Sequence, residues 1–400
     1  MFKSPQLLLI GFCYIIITVS CSKDGTSTPG NGNGTDTTGN GNGTDTTHLP
    51  TQLDIAAVDS QVNVFMDAYN VPALSIAITK GEKLVYVKAY GLADKEKNQK
   101  ADTSNLYRLA SLSKQLTAVA IMKLLEQGKV SMDATVFGTN GLLGTKYGTA
   151  PYGPHITEIT VSQLLHHTAG GWGNSNNDPM FSNPSLTTDA LITWTLDHMP
   201  LDHAPGTSYD YSNFGYCILG RVIEKITGQT YEAAVKSLVL TPIGITDMTI
   251  SGNTLADRLP KEVKYYGQSG EDPYAYNIRR MDAHGGWLAS AKDLARFLVY
   301  VDGFPVRPDI ITSQTLTIML TPSTANSGYS CGWGVNGSNY FHQGSLPGSA
   351  TEQARTSQGY NFVILTNTRN LRDQFSVDLD QLFWRALAKN PAWSDTDQFK

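Results

Sequence analysis

The sequence predicts an α+β fold, in which an antiparallel sheet is covered by helices and interrupted by a large helical insert. Strand-like patterns occur only towards the two ends of the folded part, at 73–90 and 331–367. Residues 131–283 between them carry helical patterns joined by loops rich in Gly, Pro and Asn, without a convincing pair of strands. Such segregation favours α+β layering over a doubly wound sheet. We therefore assign 49–130 and 284–400 to an α/β sheet subdomain and 131–283 to a helical insert subdomain.

Residues 1–48 are predicted to lie outside the fold. Lys3 and the apolar run Leu7–Val19 are typical of a signal peptide, here 1–20, because the run is too short to span a bilayer comfortably. The following Thr18-Val-Ser-Cys21 resembles a bacterial lipoprotein signal with Cys21 as the lipidated residue; ordinary signal cleavage nearby is the alternative. Residues 21–48 repeat the nonapeptide Gly-Asn-Gly-Asn-Gly-Thr-Asp-Thr-Thr and predict a flexible tether. We expect a lipoprotein of the cell envelope, in the periplasm or at the cell surface, anchored to a membrane through Cys21.

Each element of the fold follows from a local pattern. Apolar residues recur at helical spacing in 54–69, and the turn Lys80-Gly-Glu-Lys83 between two strand-like runs predicts a hairpin. A helix that begins at Ser111 ends near Gly128, because glycine commonly stops helices. The other predicted elements are helices at 162–166, 188–197, 213–226, 231–240, 290–301 and 313–320, strands at 331–335, 339–342, 349–355 and 360–367, and a closing helix at 373–388.

The composition is that of a soluble globular protein, with 40% hydrophobic and 16% charged residues. The net charge of -5 and the lack of a basic patch give no reason to expect a nucleic-acid partner. Cys217 and Cys331 are the cysteines of the folded part, and one pair in so long a chain is not a disulfide framework. Both lie among apolar or aromatic residues, so we predict buried free thiols.

Ser111 and Lys114 form a Ser-x-x-Lys motif at the start of a helix. Residues three apart share one helix face, so the two side chains point the same way. A lysine whose pKa is lowered by burial or nearby charge can remove the serine proton and create a nucleophile. The motif alone is weak, because Ser20-Cys-Ser-Lys23 repeats it outside the fold and a capping serine beside a solvated lysine is common.

Two further motifs supply groups that such a nucleophile needs. Tyr211-Ser-Asn213 lies in a loop that runs into a helix; its phenol can relay protons and its amide can bind a substrate carbonyl, although an N-capping turn has the same pattern. His342-Gln-Gly344-Ser345 follows a short strand, where Gly344 permits close approach and the Ser345 N–H can donate. The similar His284-Gly-Gly precedes a helix and is interpreted as a structural turn.

The order of these three motifs resembles that of serine β-lactamases and penicillin-binding peptidases, most of all the branch with class C β-lactamases, D-alanyl-D-alanine carboxypeptidases and esterases. Further similar stretches, all between Val71 and Thr366, are 159–170, Pro205-Gly-Thr207, Thr241–Ile245 and 285–295. The resemblance implies the following roles: Ser111 as nucleophile, Lys114 as general base, Tyr211 as the tyrosine that shares protons with both, Asn213 as ligand of the acyl amide, and the N–H groups of Ser111 and Ser345 as the oxyanion hole.

The resemblance also implies a serine hydrolase that forms an acyl-enzyme on a small peptide, amide or ester, with carboxypeptidase-like or esterase-like activity and at most weak β-lactamase activity. His342 stands where many members have Lys. Near its ordinary pKa of ~6.5 it would be partly charged, so we expect weaker or pH-dependent recognition of anionic substrates. No glutamate is marked as a separate deacylating base; Glu158 merely lies near the start of the insert. The loops 172–185 and 265–277 are expected to shape the pocket.

The sequence allows three rival interpretations. A non-catalytic sensor of penicillins or peptidoglycan fragments often lacks one catalytic side chain, whereas Ser111, Lys114 and Tyr211 are all present. Gly328-Tyr-Ser330-Cys-Gly fits the nucleophile elbow of α/β-hydrolases, but no helix pattern follows it. Neither a metal nor an organic cofactor is expected, because the histidines lack metal-ligand spacing; these are His155, His166, His167 and His203.

Overall fold

The computed structural model describes residues 54–175 and 177–400, so the predicted signal peptide, Cys21 and the tether lie outside the described residues. The strands are β1 Ala73–Lys80, β2 Lys83–Asp94, β3 Gln99–Lys100, β4 Tyr107–Arg108, β5 Thr249–Ile250, β6 Trp287–Ala289, β7 Gly334–Asn336, β8 Asn339–Leu346, β9 Ser349–Arg355 and β10 Tyr360–Thr366. The helices are α1 Ala56–Tyr69, α2 Ser113–Glu126, α3 Val161–Leu165, α4 Pro179–Ser182, α5 Thr188–His198, α6 Asn213–Thr227, α7 Tyr231–Val235, α8 Asp282–Gly285, α9 Ala291–Leu298, α10 Ser313–Leu320 and α11 Asp373–Leu387.

A seven-stranded antiparallel sheet in the order β3-β2-β1-β10-β9-β8-β7 is the framework of the fold. Its centre joins the two ends of the described chain, because β1 pairs with β10 from Leu74↔Thr366 to Lys80↔Tyr360. The predicted β1–β2 hairpin and the β8–β9–β10 meander are both present. The α+β prediction is therefore confirmed.

Both faces of the sheet are covered. On β10, Phe362 and Ile364 join the core cluster that contains α1 and α11, whereas Val363 and Leu365 join the larger cluster that extends through α2 and α6. Alternate residues of a strand face opposite sides, so a strand with helices on both sides reads as a continuous apolar run. None of the helices formed by residues 54–175 and 177–400 is long and apolar enough to cross a membrane.

Three expectations about strands were wrong in detail. The segment 131–283 does contribute a strand, β5, whose two residues pair with Trp287 and Leu288 of β6 and are too few to produce an alternating pattern. Strand β7 begins only at Gly334, because the preceding residues form a turn closed by the Ser330 N–H and the Trp333 carbonyl. Strand β8 continues to Leu346, which places His342 inside the strand rather than at its end.

Glu352 of β9 is a fully buried carboxyl group on the sheet face towards α11, and neither of its oxygens makes a well-formed hydrogen bond. Burial raises its pKa well above the ordinary value, and Asp380 of α11 acts in the same direction. The folded protein therefore retains a proton that the unfolded chain releases above a pH of about 4.3. Since the unfolded state then binds fewer protons, stability falls as pH rises from that value.

We expect Glu352→Gln to raise the free energy of unfolding by about 1–3 kcal/mol at about pH 8, because it removes an unpaired ionisable group from the interior. The gain should vanish near about pH 4, where the carboxyl group is protonated in both states. Urea denaturation at the two pH values measures this difference. The exposed Glu158→Gln is the matched control, and a gain independent of pH would contradict the argument.

Candidate active site

The segment that carries Ser111 is held between the seven-stranded sheet and a second, three-stranded sheet with the order β4-β6-β5. Its carbonyls at Arg108 and Leu109 accept hydrogen bonds from the hydroxyls of Ser349 (2.7 Å) and Thr351 (2.9 Å) on β9. Ala110 then adopts a left-handed φ of 50° and opens the short 3-10 turn that contains Ser111 and leads into α2. Gly344 of β8 lies so close that a Cβ there would stand 2.3 Å from the Leu109 carbonyl oxygen. Glycine is therefore required at 344 to bring β8 against the Ser111 turn.

Lys114 lies one turn from Ser111 and is fully buried. Its Nζ is 3.2 Å from Ser111 Oγ, 2.7 Å from Asn213 Oδ1 and 3.0 Å from the His284 carbonyl oxygen. Burial lowers the pKa of this amine to about 7, although the negative charge of Asp178 acts in the opposite direction. A substantial fraction of Lys114 is therefore neutral at physiological pH.

The three partners of Lys114 orient the neutral amine. Asn213 Oδ1 and the His284 carbonyl oxygen can only accept hydrogen bonds, so they take the two N–H groups of a neutral –NH2. The nitrogen lone pair is then left for the Ser111 hydroxyl, which can donate. This is the arrangement that general-base activation of a serine requires.

Tyr211 packs beside this pair. Its ring centroid lies 4.8 Å from Lys114 Nζ and 4.3 Å from the centroid of the His167 ring. Burial raises the pKa of the phenol well above its ordinary value, while the nearby Ser111 hydroxyl lowers it in part. The hydroxyl nevertheless makes no well-formed hydrogen bond. Tyr211 is therefore a neutral phenol next to the nucleophile, able to pass a proton and not present as a phenolate.

Asn213 begins α6, and its amide is held from both sides. Its Oδ1 accepts from Lys114, its Nδ2 donates to Asp178 Oδ2 at 2.7 Å, and its main-chain N–H donates to Asn174 Oδ1 at 2.9 Å. The predicted site residue is thus in place, but the amide nitrogen expected to face a substrate carbonyl is already bound to a carboxylate.

A model of the Beta-lactamase family matches residues 58–382. The chain belongs to the Beta-lactamase family. This is a family of serine hydrolases of the β-lactamase and transpeptidase type, which act on amides, peptides or esters. The family resemblance read from the three motifs is therefore confirmed.

The individual relatives of this Beta-lactamase family member are distant in sequence. Protein flp of Staphylococcus aureus (strain MRSA252) is 25% identical over 321 residues, which are 78% of this chain and 62% of that protein. This chain thus spans less than two thirds of that relative. A putative D-alanyl-D-alanine carboxypeptidase of Escherichia coli (strain K12) is 26% identical over 66% of this chain and 68% of that protein.

Among solved structures, the D-amino acid amidase from Ochrobactrum anthropi SV3 complexed with D-phenylalanine aligns with a TM-score of 0.66 at 20% identity. The alignment covers 84% of this chain and 100% of that one. At this identity the similarity supports the fold alone. It agrees with the antiparallel sheet and helical layers described above.

The expectation that His342 is partly charged was wrong, whereas the weaker recognition of anionic substrates stays a prediction. In this Beta-lactamase family member His342 is buried, and burial together with Lys114 lowers its pKa to about 3. Its Nδ1 lies 2.7 Å from the Gln343 carbonyl oxygen, so Nδ1 carries the proton and Nε2 accepts from the Tyr329 hydroxyl at 3.1 Å. A neutral histidine held in this way supplies no positive charge to a substrate carboxylate, not even a partial or pH-dependent one. The sequence could not reveal this because the burial of His342 and its contact with Tyr329 are set by tertiary packing.

Ser345 lies farther along β8 and is exposed. Arg369, from the segment after β10, donates from Nη1 to Ser345 Oγ at 3.1 Å and forms an ion pair with Glu271. A permanently charged arginine therefore lies beside Ser345 at this end of the candidate site. It does not occupy position 342, where many members of the Beta-lactamase family have Lys. Arg369 was not predicted as a site residue. It belongs to no motif, and it follows a strand whose apolar residues are explained by the core.

The rival sites are not supported. Ser330 is fully buried in a turn, where its hydroxyl donates to the Trp333 carbonyl at 3.3 Å, and a strand follows instead of a helix. Glu158 is exposed and contacts His155. Within the described ranges no group of His, Cys, Asp and Glu side chains is suited to hold a metal ion. Cys217 and Cys331 are free and buried, as predicted.

Proposed function

We propose that this chain is a serine hydrolase in which Ser111 is acylated by a small peptide, amide or ester and water then hydrolyses the acyl-enzyme. Ser111 Oγ attacks the substrate carbonyl while Lys114 accepts the hydroxyl proton. The proton passes to the leaving amine or alkoxide, with Tyr211 as the adjacent relay. Water then attacks the ester carbonyl with the same groups acting as base, and Ser111 recovers its proton.

The observation that carries this proposal is the orientation of Lys114. A buried amine with a pKa of about 7, whose N–H groups are held by two acceptors, directs its lone pair at Ser111. That arrangement favours a hydrolase over a non-catalytic sensor, which needs no such base. No cofactor or metal takes part in the proposed steps.

The substrate class is supported by the name of one relative. It is a putative D-alanyl-D-alanine carboxypeptidase. We propose a carboxypeptidase-like, amidase-like or esterase-like activity on compounds of small D-amino acids, with weak β-lactamase activity at most. The decisive experiment compares turnover of p-nitrophenyl acetate, a D-alanyl amide and a penicillin by the full chain. Ester or amide turnover well above penicillin turnover supports the proposal, and turnover of none of them refutes it.

We also propose that the protein is an envelope lipoprotein anchored through Cys21, with 21–48 as the tether. Support comes from the signal-like residues 1–20 and from the nonapeptide repeat. Cys21→Ser should move the protein from the membrane fraction to the soluble fraction of bacterial cells that express it. Retention of the variant in the membrane fraction would contradict the anchor.

A further inference from the structure

Asp178 is a carboxylate in the candidate active site that none of the steps above uses. It caps the N-terminus of α4, where its Oδ1 accepts from the Met180 N–H at 2.9 Å. Its Oδ2 accepts from Asn213 Nδ2 at 2.7 Å, which connects it through Asn213 to Lys114. An ionised carboxylate offers about four acceptor positions, so about two remain for a ligand.

The charge of Asp178 is poorly compensated. No ion pair joins it to a lysine, arginine or histidine in the part of the chain that the structure describes, and burial raises its pKa. Arg280, the nearby permanent cation, directs its Nη groups at main-chain carbonyls of Met180, Asn183 and Leu186. Lys114 is only partly charged near neutral pH. Asp178 is half-buried. A carboxylate that is partly withdrawn from water without a paired cation is costly, and a cationic ligand relieves that cost.

Asn213 cannot readily serve an acylated substrate in this arrangement. Turning its amide over would bring Nδ2 against the donor Lys114 and Oδ1 against the carboxylate of Asp178, so the observed orientation is fixed by both neighbours. A substrate acyl carbonyl would have to compete with Asp178 for Nδ2 and would approach a negative charge. An ammonium group meets complementary acceptors at the same place.

We infer that Asp178 binds the free α-ammonium group of the substrate, so that the enzyme acts on unacylated amino acid amides and esters in preference to N-acylated peptides. This inference rests on the proposed serine hydrolase function and narrows its substrate class. Asp178 is then a specificity-determining residue that touches the substrate. The loop 172–185 was expected to shape the pocket, and Asp178 is the residue through which it does so.

The test compares D-alanine p-nitroanilide with N-acetyl-D-alanine p-nitroanilide, each as substrate and as competitor of p-nitrophenyl acetate hydrolysis. The full chain is assayed beside Asp178→Asn and beside Asp67→Asn, which removes the same charge from an exposed position of α1, on the sheet face opposite α2. We expect kcat/KM, or the competition constant, to favour the free amine by at least about tenfold, the minimum for a charge-assisted hydrogen bond. Asp178→Asn should erase this ratio, and Asp67→Asn should keep it.

A second readout is the pH dependence. The preference should decline above about pH 8, where the α-amino group loses its proton. Equal use of both substrates by the unmodified protein, or an equal loss for both in Asp178→Asn, would overturn the inference and leave Asp178 as a positioning residue for Asn213. Hydrolysis of p-nitrophenyl acetate that neither D-alanine p-nitroanilide nor its N-acetyl derivative inhibits would also overturn the inference. Absence of any p-nitrophenyl acetate hydrolysis and of any Ser111 adduct would instead refute the proposed function itself.

Discussion

Ser111→Ala is expected to abolish formation of the acyl-enzyme and to lower turnover of the best ester or amide substrate by about 10⁴-fold or more. The methyl side chain has no atom that can attack a carbonyl, and neither Lys114 nor Tyr211 can replace it from its position. Intact-mass spectrometry after brief exposure to p-nitrophenyl acetate measures the adduct directly. The unmodified chain should gain one acetyl group, and the variant should gain none.

The control for Ser111→Ala is Ser330→Ala, which removes a hydroxyl from the rival Gly-x-Ser-x-Gly motif. Ser330 is fully buried in a closed turn, where its hydroxyl donates to the Trp333 carbonyl. We therefore expect this variant to keep its acetyl adduct after the same exposure. An adduct that persists in Ser111→Ala, or one that is lost in Ser330→Ala from a folded protein, would move the nucleophile away from Ser111.

Much of the fold was predictable because its elements carry strong local signals. Strands β9 and β10 lie close to their predicted bounds, since the turn Thr356-Ser-Gln-Gly359 separates them and β10 carries an apolar run. Strand β5 was missed because its pairing with β6 is created by tertiary contact and leaves no periodicity in two residues. Local pattern reports what a segment prefers, and it is silent on pairings that distant segments impose.

The residues of the candidate site likewise divide into those that a motif marks and those that only tertiary contacts bring into the site. Ser111, Lys114, Tyr211 and Asn213 were found because a motif carries each of them, and the structure brings them together. The His284 carbonyl was missed, since any residue type supplies a carbonyl oxygen. Asp178 was missed for a different reason: Asp before Pro at a helix start is an ordinary cap, and that local role hides its contact with Asn213.

Lys114→Met is expected to lower kcat/KM for amide substrates by about 10²–10⁴-fold, the usual contribution of a general base. In the unmodified chain only the neutral amine can accept the Ser111 proton. Activity should therefore rise with pH through a pKa of about 7 and then level off.

Lys114→Arg tests charge separately from basicity, because arginine keeps a permanent cation that cannot accept a proton. Substantial activity in Lys114→Arg would exclude the general-base role.

The stability of Lys114→Met tests the lowered pKa without reference to activity. Between about 7 and the unfolded value of ~10.4, the unfolded chain binds a proton that folded Lys114 does not, so unmodified protein gains stability as pH rises through this window. Methionine does not titrate, so it contributes no such dependence of stability on pH. Lys114→Met also leaves Asn213 Oδ1 and the His284 carbonyl without their donor, but that loss is the same at every pH. We therefore expect the stability of the variant relative to the unmodified chain to be greater at about pH 7 than at about pH 10, by up to about 4 kcal/mol in urea denaturation. A difference that does not change with pH would mean that the Lys114 pKa is ordinary, and the lone pair that the mechanism assigns to Ser111 would then be protonated at neutral pH.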